Sequence, residues 1–453
     1  MDVSDLDHRA RTGSGCIPAE LVARLLERGH ADIVEVQAGR GEWFCALAWA
    51  RVLGGRGRQA DALRVLDPYL ATGWWTAVAA TAGLLEGWGR VDEAIGVTRA
   101  GMEAGHPMGL ETYARLLARH GRAAEAFTLL LPHADDRALA TALVDVAGVA
   151  GRDEEAAALL TARIRADHEC SDFPWCCRGV EPDAAIGLLA AIRERQGRID
   201  EAVALLRRRQ VTSVNGRDQL ADLLARHGRI EALRGYAATG GDEGVVQRLA
   251  ELLEERGEVE GAIAVYGQAD GPADLHPNSA YCLAQLLVRH GRVDEAIAVM
   301  RAQADGRNGD DWILRILSEL CLAQGRPADG LAHLDALAAR RGGEEEWEVF
   351  RIRLPLIAAC SGVDEAVGRA RAHPEGATWY AAEHIARLLA GAGRTEEAVA
   401  VLQQQDRRNS HDLAKYLIDL DRVEEALAVL QHTSPPAPLV PTTRLWSGEE
   451  PPF

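Results

Sequence analysis

Apolar residues recur along most of the chain at the spacing of amphipathic α-helices. From Ala280 to Leu287 the apolar positions stand at spacings of 0, 3, 4 and 7, so they share one helix face. The same spacing runs from Val293 to Met300, and Gly291 lies between the two segments. Glycine readily takes the left-handed conformation that ends a helix. The pattern therefore predicts a helical hairpin that turns at Gly291.

This hairpin pattern is repeated down the chain. Close copies of one phrase begin at four glycines: GRVDEAIGV at Gly89, GRIDEAVALL at Gly197, GRVDEAIAVM at Gly291 and GRTEEAVAVL at Gly393. Weaker copies complete a set of 13 predicted turn residues: Gly29, Gly57, Gly89, Gly121, Gly151, Gly197, Gly228, Gly257, Gly291, Gly325, Ser361, Gly393 and Asp421. From Gly57 to Asp421 their mean spacing is about 33 residues, which is typical of two-helix repeats. The chain is predicted to be an all-α solenoid of about 12–13 helix-turn-helix repeats.

Small residues recur where neighbouring helices would approach each other. Seven residues before the turn stand Ala50, Ala82, Ala114, Ala190, Ala221, Ala250, Ala284, Ala386 and Ala414. Five residues after the turn stand Ala62, Ala94, Ala126, Ala156, Ala202, Ala262, Ala296, Ala366, Ala398 and Ala426. Four residues before it stand Leu25, Leu53, Leu85, Leu117, Leu224, Leu253, Leu287, Leu389 and Leu417. These columns predict alanine and leucine seams along which the helices pack.

The spacing of these columns resembles the tetratricopeptide repeat, over roughly residues 18–432. The match is carried by Tyr113-Ala114, Gly121 and Ala126, by Leu283-Ala284, Gly291 and Ala296, and by Ile385-Ala386, Gly393 and Ala398. The proline that the family places after the second helix is mostly missing, so the resemblance leaves the angles between repeats open. It implies a right-handed superhelix whose first helices line a concave groove that holds an extended peptide or a partner helix. We therefore expect a protein- or peptide-binding scaffold.

In the family geometry, the residues thirteen, ten and six before each turn face the groove. This implies partner-binding residues at Arg115, Asp218, Asp222, Glu251, Tyr281, Gln285, Trp312, Arg315, Glu319, Arg351, Tyr380, Glu383 and Arg387. Aromatic and Arg side chains supply most hot-spot energy at interfaces. An anchor patch is therefore predicted at Tyr281, Trp312, Arg315, Tyr380 and Arg387. The alternative is that Trp312 and Tyr380 pack between neighbouring repeats.

The charge of the chain bears on the class of partner. Fifty Lys and Arg residues against 68 Asp and Glu give a formal net charge of −18. Such a charge opposes binding to phosphate backbones, which depends on cationic contacts. Nucleic acid is thus disfavoured, although a pentatricopeptide-like RNA-binding protein is kept as an alternative because AGRTEEA resembles that repeat. A regulatory subunit of a partner enzyme is a further alternative.

The sequence carries no local signature of an enzyme. It has no GxxxxGK[ST] loop, HExxH, GxSxG elbow or GxGxxG after a strand. His120, His227 and His290 each stand immediately before a turn glycine, so a structural role at the helix end is predicted for them. We expect no catalytic activity and no cofactor.

The segments outside the regular repeats lead to separate predictions. Residues 1–17 are expected to be a flexible N-terminus, and the Pro-rich residues 433–453 a disordered tail or a docking motif. The 46-residue interval between Gly151 and Gly197 indicates an insert near 166–182. Its possible zinc ligands are His168, Cys170, Cys176 and Cys177, but adjacent cysteines lack the CxxC spacing, so packed thiols are favoured over a metal.

The chain is expected to be cytoplasmic. It shows neither a basic segment followed by an apolar core at the N-terminus nor an apolar run of about 18 residues. The eight cysteines are scattered through helical segments, so reduced and mostly buried thiols are expected. Whether the apolar residues Val22, Leu25 and Val34 of the first repeat are capped or face a second subunit is left open.

Overall fold

A computed structural model describes most of the chain. The described residues are 2–13, 15–165, 180–209, 213–214, 217–239, 243–267, 272–306, 311–340, 346–405 and 409–431. They divide into two compact units, with unit 1 formed by Met1–Ala104 and Arg371–Phe453 and unit 2 by Gly105–Ala370. Unit 2 is thus a continuous segment inserted between the two segments of unit 1.

The described residues contain 27 α-helices, one 3-10 helix and one short β-hairpin. The α-helices are α1 (Val3–Thr12), α2 (Ala19–Glu27), α3 (Ala31–Gly39), α4 (Trp43–Gly55), α5 (Gln59–Leu70), α6 (Trp75–Gly87), α7 (Val91–Glu103), α8 (Gly109–Arg119), α9 (Ala123–Leu130), α10 (Arg137–Ala150), α11 (Asp153–Arg165), α12 (Pro182–Arg195), α13 (Ile199–Leu206), α14 (Gln219–Arg226), α15 (Ile230–Ala238), α16 (Glu243–Glu255), α17 (Val259–Tyr266), α18 (Pro277–Arg289), α19 (Val293–Gly306), α20 (Asp311–Ala323), α21 (Pro327–Arg340), α22 (Trp347–Ser361), α23 (Val363–Ala372), α24 (Trp379–Gly391), α25 (Thr395–Gln403), α26 (Ser410–Asp419) and α27 (Val423–Gln431). The 3-10 helix is Leu131–His133, and the hairpin pairs β1 (Ser213–Val214) with β2 (Arg217–Asp218). The predicted all-α helical-repeat fold is confirmed.

The predicted turns lie between the two helices of each hairpin. All of them except Ser361 have a positive φ, including Asp421 with φ 59°. Ser361 is the last residue of α22, and Gly362, with φ 94°, makes the turn instead. The prediction was wrong by one residue because α22 continues through the position where the other first helices end. A single glycine then leads directly into α23.

The predicted seams form the core of each unit. Every alanine of the two alanine columns and every leucine of the leucine column is buried. Larger apolar side chains, among them Phe127 and Leu130 in α9, fill the space beside them. The seams are therefore the packing contacts that the periodicity predicted.

The N-terminal segment differs from expectation. Residues 3–12 form α1 rather than a flexible segment. Asp2 caps this helix by accepting the backbone N–H of Ser4. Leu6 is buried, α1 packs against α4, and Arg9 pairs with Glu42 at 3.1 Å. A cap and one apolar anchor are enough to fix this short helix on the first repeats, and sequence periodicity does not detect them.

A ladder of ion pairs accompanies the turns. The arginine that follows each turn glycine commonly pairs with the carboxylate three residues later, as Arg292 does with Glu295 at 2.6 Å. Arg292 also reaches Glu260 of the preceding repeat at 3.0 Å. Exposed pairs of this kind each stabilise a protein by less than about 1 kcal/mol. They explain part of the acidic composition of the chain.

The insert and the cysteines are described only in part. His168, Cys170, Cys176 and Cys177 lie outside the described residues, as does the tail 433–453. Within the described ranges, no three His, Cys, Asp or Glu side chains are grouped so as to hold a metal. The five described cysteines are free. Burial raises the pKa of Cys16 to about 11 and that of Cys45 to about 12, so both thiols are protonated at neutral pH.

None of the described helices combines the length and the apolar character that crossing a membrane requires.

Candidate functional site

Four of the predicted partner-binding residues come together on one surface of unit 2 with Gln247, which stands ten residues before the turn at Gly257. Asp222, Gln247, Glu251, Tyr281 and Gln285 lie on the first helices of three successive repeats, and we call this surface the central wall. It forms because α14 packs against α16, and α16 packs against α18. The residues are about 30 apart in sequence from one repeat to the next, and the stacking of equivalent helices places them side by side.

The first of two cavities in the central wall lies between α14 and α16. It has a volume of about 540 Å³ and is mainly polar. Its lining residues are Asp218, Ala221, Asp222, Arg226, Gly244, Gln247, Arg248 and Glu251. Gly244, which has no side chain, lines this cavity at the position thirteen residues before the turn at Gly257. The cavity therefore offers room for a side chain of a partner.

The second cavity adjoins the first, between α16 and α18. Its volume is about 200 Å³, and it shares Gln247 and Glu251 with the first cavity. Tyr281 and Gln285 line it from α18, and the side chain of Tyr281 is exposed, at 39%. The two cavities make a continuous strip of carboxylate, amide and phenol groups across three repeats.

The first cavity is lined by three carboxylates and two arginines. Arg226 is committed to Glu194 of the preceding repeat through two hydrogen bonds of 2.9 Å. Arg248 lies 3.0 Å from Glu251 and 3.6 Å from Asp222. Arg248 thus lies beside two of the three carboxylates of this cavity, so these charges are balanced within the protein.

The histidines before the turns connect adjacent repeats. Nε2 of His290 lies 2.9 Å from Glu254, which also accepts two hydrogen bonds from Arg289. Those bonds, from Arg289 first, hold the pKa of Glu254 below its ordinary value. His227 lies 2.9 Å from Glu194 in the same way. These two histidines thus lie at helix ends as expected, and each side chain contacts a specific carboxylate of the neighbouring repeat.

The sequence carries a signal for these partners that the helical periodicity does not reveal. Glu194 and Glu254 each stand three residues before their own turn glycine, and Arg-His stands just before the next one. In both cases the carboxylate of one repeat meets the Arg-His pair of the following repeat. Opposite charges separated by one repeat length, a glutamate in one repeat and Arg-His in the next, are therefore the sequence signal for this contact.

Asp218 borders the first cavity, but both of its carboxylate oxygens have partners within the protein. It is 3% exposed and caps α14, with Oδ1 accepting the backbone N–H of Ala221 at 2.9 Å. Oδ2 accepts the hydroxyl of Tyr236 at 2.6 Å. We therefore assign Asp218 to holding α14 in place, beside the strip rather than in it.

This role leads to a stability prediction. Asp218→Ala removes a helix cap and leaves the Tyr236 hydroxyl without its acceptor, so the free energy of unfolding is expected to fall by about 1–3 kcal/mol. Asp218→Asn keeps a good capping side chain and an oxygen acceptor, so it is expected to lose clearly less. Urea unfolding followed by circular dichroism measures both. Equal losses for the two variants would contradict the capping role.

The remaining predicted residues in unit 2 have local partners. Arg115 donates to Glu111 at 2.9 Å within α8 and to Asp145 of α10 at 2.7 Å, so it bridges two first helices. Arg315 pairs with Glu319 at 3.0 Å, and Arg351 pairs with Glu348 at 2.6 Å. Trp312 is half-buried and packs against the hydrophobic core of unit 2.

Three predicted residues belong to unit 1 instead. The hydroxyl of Tyr380 bonds to Glu375, and its ring packs edge-on against Trp379 with centroids 5.5 Å apart. Arg387 pairs with Glu383 one turn earlier on α24. The predicted anchor patch is therefore divided between the units, with Tyr281, Trp312 and Arg315 in unit 2.

Two other cavities are mainly apolar. One, of about 370 Å³, lies beside α10 and α11, and another, of about 410 Å³, lies among α25, α26 and α27. Neither contains any of the predicted partner-binding residues. The central wall is thus the cavity-bearing surface on which the predicted positions converge.

Comparison with known proteins gives the following findings. No family model and no curated protein matches the sequence. A solved structure of Naa15/Naa10 bound to HypK-THB is similar at 15% identity, over 91% of this chain and 67% of that chain, with a TM-score of 0.40. A tetratricopeptide repeat protein from Parabacteroides merdae is similar at 15% identity, over 62% of this chain and 93% of that chain, with a TM-score of 0.26. By its own hairpins and seams, the chain is an all-α helical-repeat protein.

Proposed function

We propose that this chain is a scaffold that binds a protein or peptide partner, with an extended segment of the partner lying on the central wall. The observation that supports this most is the convergence of predicted groove positions from three repeats on two adjoining cavities. A surface built from equivalent positions of successive repeats suits a ligand that is itself extended. Binding along such a surface requires no catalytic group.

The chemistry of the strip suits a peptide. Gln247 and Gln285 offer amide donors and acceptors that match a peptide backbone. Tyr281 presents an aromatic ring of the kind that commonly supplies hot-spot energy. The first cavity, with a volume of about 540 Å³, is large enough to admit a side chain of the peptide. The net charge of −18 also favours a peptide over RNA as the ligand, because RNA binding depends on cationic contacts to phosphates.

A displayed library of random peptides tests the proposal. Peptides selected on the immobilised full chain are measured for affinity against two variants, Gly244→Trp and Ala298→Trp. Gly244→Trp fills the first cavity, so we expect affinity to fall by about tenfold or more, equivalent to 1.4 kcal/mol. Ala298 is exposed on α19 outside both cavities, so its replacement by the same residue is the matched control.

The outcomes separate the candidate functions. Selective loss of binding with Gly244→Trp, in a variant whose circular dichroism and melting temperature match the control, supports the central wall. Equal binding by both variants would place the ligand elsewhere. If the chain selects no peptide but retards single-stranded RNA in an electrophoretic mobility-shift assay at low salt, the RNA-binding alternative is favoured and the proposal is overturned.

A further inference from the structure

The first and last repeats of the chain pack against each other within unit 1. Helix α2 contacts α26. Arg24 donates from Nε and Nη2 to the two carboxylate oxygens of Asp419, at 2.5 and 2.6 Å, across 395 residues of sequence. Arg28 adds a third bond to Asp419 at 3.2 Å. His30 lies 3.2 Å from Asp421 at the edge of the same contact.

Apolar residues accompany this charged contact. Leu21, Val22 and Leu25 of α2 are buried, and so are Leu417 and Ile418 of α26. The terminal repeats of a helical array ordinarily need a polar outer face, because no further repeat covers them. Here the apolar residues of the first repeat are covered within the chain, which answers the question that the sequence left open.

This contact differs from the other contacts between repeats in unit 1. Successive hairpins elsewhere in the unit are joined by a short connection, whereas the segments carrying α2 and α26 are covalently joined only through unit 2. Noncovalent forces alone therefore hold α2 to α26. Bidentate Arg–carboxylate pairs are among the stronger polar contacts, and Asp419 is only 12% exposed. The contact is therefore specific, and no covalent link between adjacent segments holds it.

We propose that the α2–α26 interface is a latch. It closes unit 1 within one chain, and when it is released the same two surfaces pair between two copies of the chain. In such an exchange α2 of one copy makes with α26 of the other copy the same contacts that it makes within one chain, so no new interface has to form. Because both helices belong to one chain, the closed monomer is favoured at low protein concentration. The partner of the released surfaces is thus a second copy of this protein.

Charge reversal offers a direct test with its own control. Arg24→Glu places a carboxylate beside Asp419, and Asp419→Arg places a third cation beside Arg24 and Arg28, so each single variant should open. In a mixture of the two variants, both exchanged interfaces regain opposite charges at these positions. The double variant Arg24→Glu/Asp419→Arg regains them within one chain. Light scattering on the full-length proteins measures the mass of each.

We expect the wild type and the double variant to be monomers at micromolar concentration. The mixture of single variants should form a 1:1 complex with twice the monomer mass, which neither single variant forms alone. Single variants that keep the hydrodynamic radius of the wild type would show that the interface is not a latch. A mixture that stays monomeric although each variant has opened would overturn the exchange.

A measurement on the wild type covers the case in which the single variants do not fold. Higher salt screens the ion pairs of the latch. Amide hydrogen exchange in α2 and in α26 should therefore accelerate together, by the same factor, ahead of exchange in α4 and α24. Exchange that accelerates in only one of the two helices, or equally in all four, contradicts the proposal.

Discussion

Trp74→Ala is expected to lower the free energy of unfolding of unit 1 by about 3–5 kcal/mol, the range for removing a buried aromatic side chain. Trp74 is 2% exposed and stands directly before α6. Its ring packs edge-on against Trp43, with centroids 4.7 Å apart and planes at 71°. Its indole N–H also faces Asp7 of α1 at 3.5 Å. The substitution leaves a cavity where the N-terminal helix meets the first repeats.

Trp379→Ala is the matched control for this prediction. Trp379 also belongs to unit 1 but is 37% exposed, so its truncation creates a much smaller cavity. We expect a loss of less than about 1.5 kcal/mol. Guanidinium unfolding followed by circular dichroism measures both variants. Similar losses at the two positions would show that Trp74 is not a central packing residue of the unit.

Ala296→Leu is expected to lower the free energy of unfolding of unit 2 by about 1–3 kcal/mol, because added methylene groups overpack a close helix contact. Ala296 belongs to the alanine column after the turn and is fully buried on α19. The size of the side chain there sets how closely α19 approaches its neighbours. A larger residue has to displace a helix or adopt a strained rotamer.

Ala298→Leu on the same helix separates packing from helix propensity. Ala298 is exposed, and leucine is nearly as good a helix former as alanine, so we expect a change within about 0.5 kcal/mol. Urea unfolding with circular dichroism compares the two variants. If Ala296→Leu is as stable as Ala298→Leu, the alanine seam is looser than its burial indicates.

The candidate site was only partly predictable from the sequence. Counting back from the turn glycines places Asp222, Glu251 and Gln285 on the central wall, because equivalent positions of stacked repeats share a face. The same counting places Asp218 in the groove, although the structure uses both of its oxygens to cap α14 and to bind Tyr236. The position of a residue within the repeat predicts which helix face it occupies, but not whether its polar atoms already have hydrogen-bond partners.

What the sequence alone determined was the repeating part of the fold: where helices end, which residues form the seams and which positions share a face. These follow from local periodicity and from the conformational freedom of glycine, both of which are readable within about 33 residues. Only the tertiary structure decided that α1 packs on α4, that the chain divides into two units and that Arg24 meets Asp419. Contacts between residues so far apart leave no period in the sequence, because they depend on the accumulated geometry of every hairpin between them.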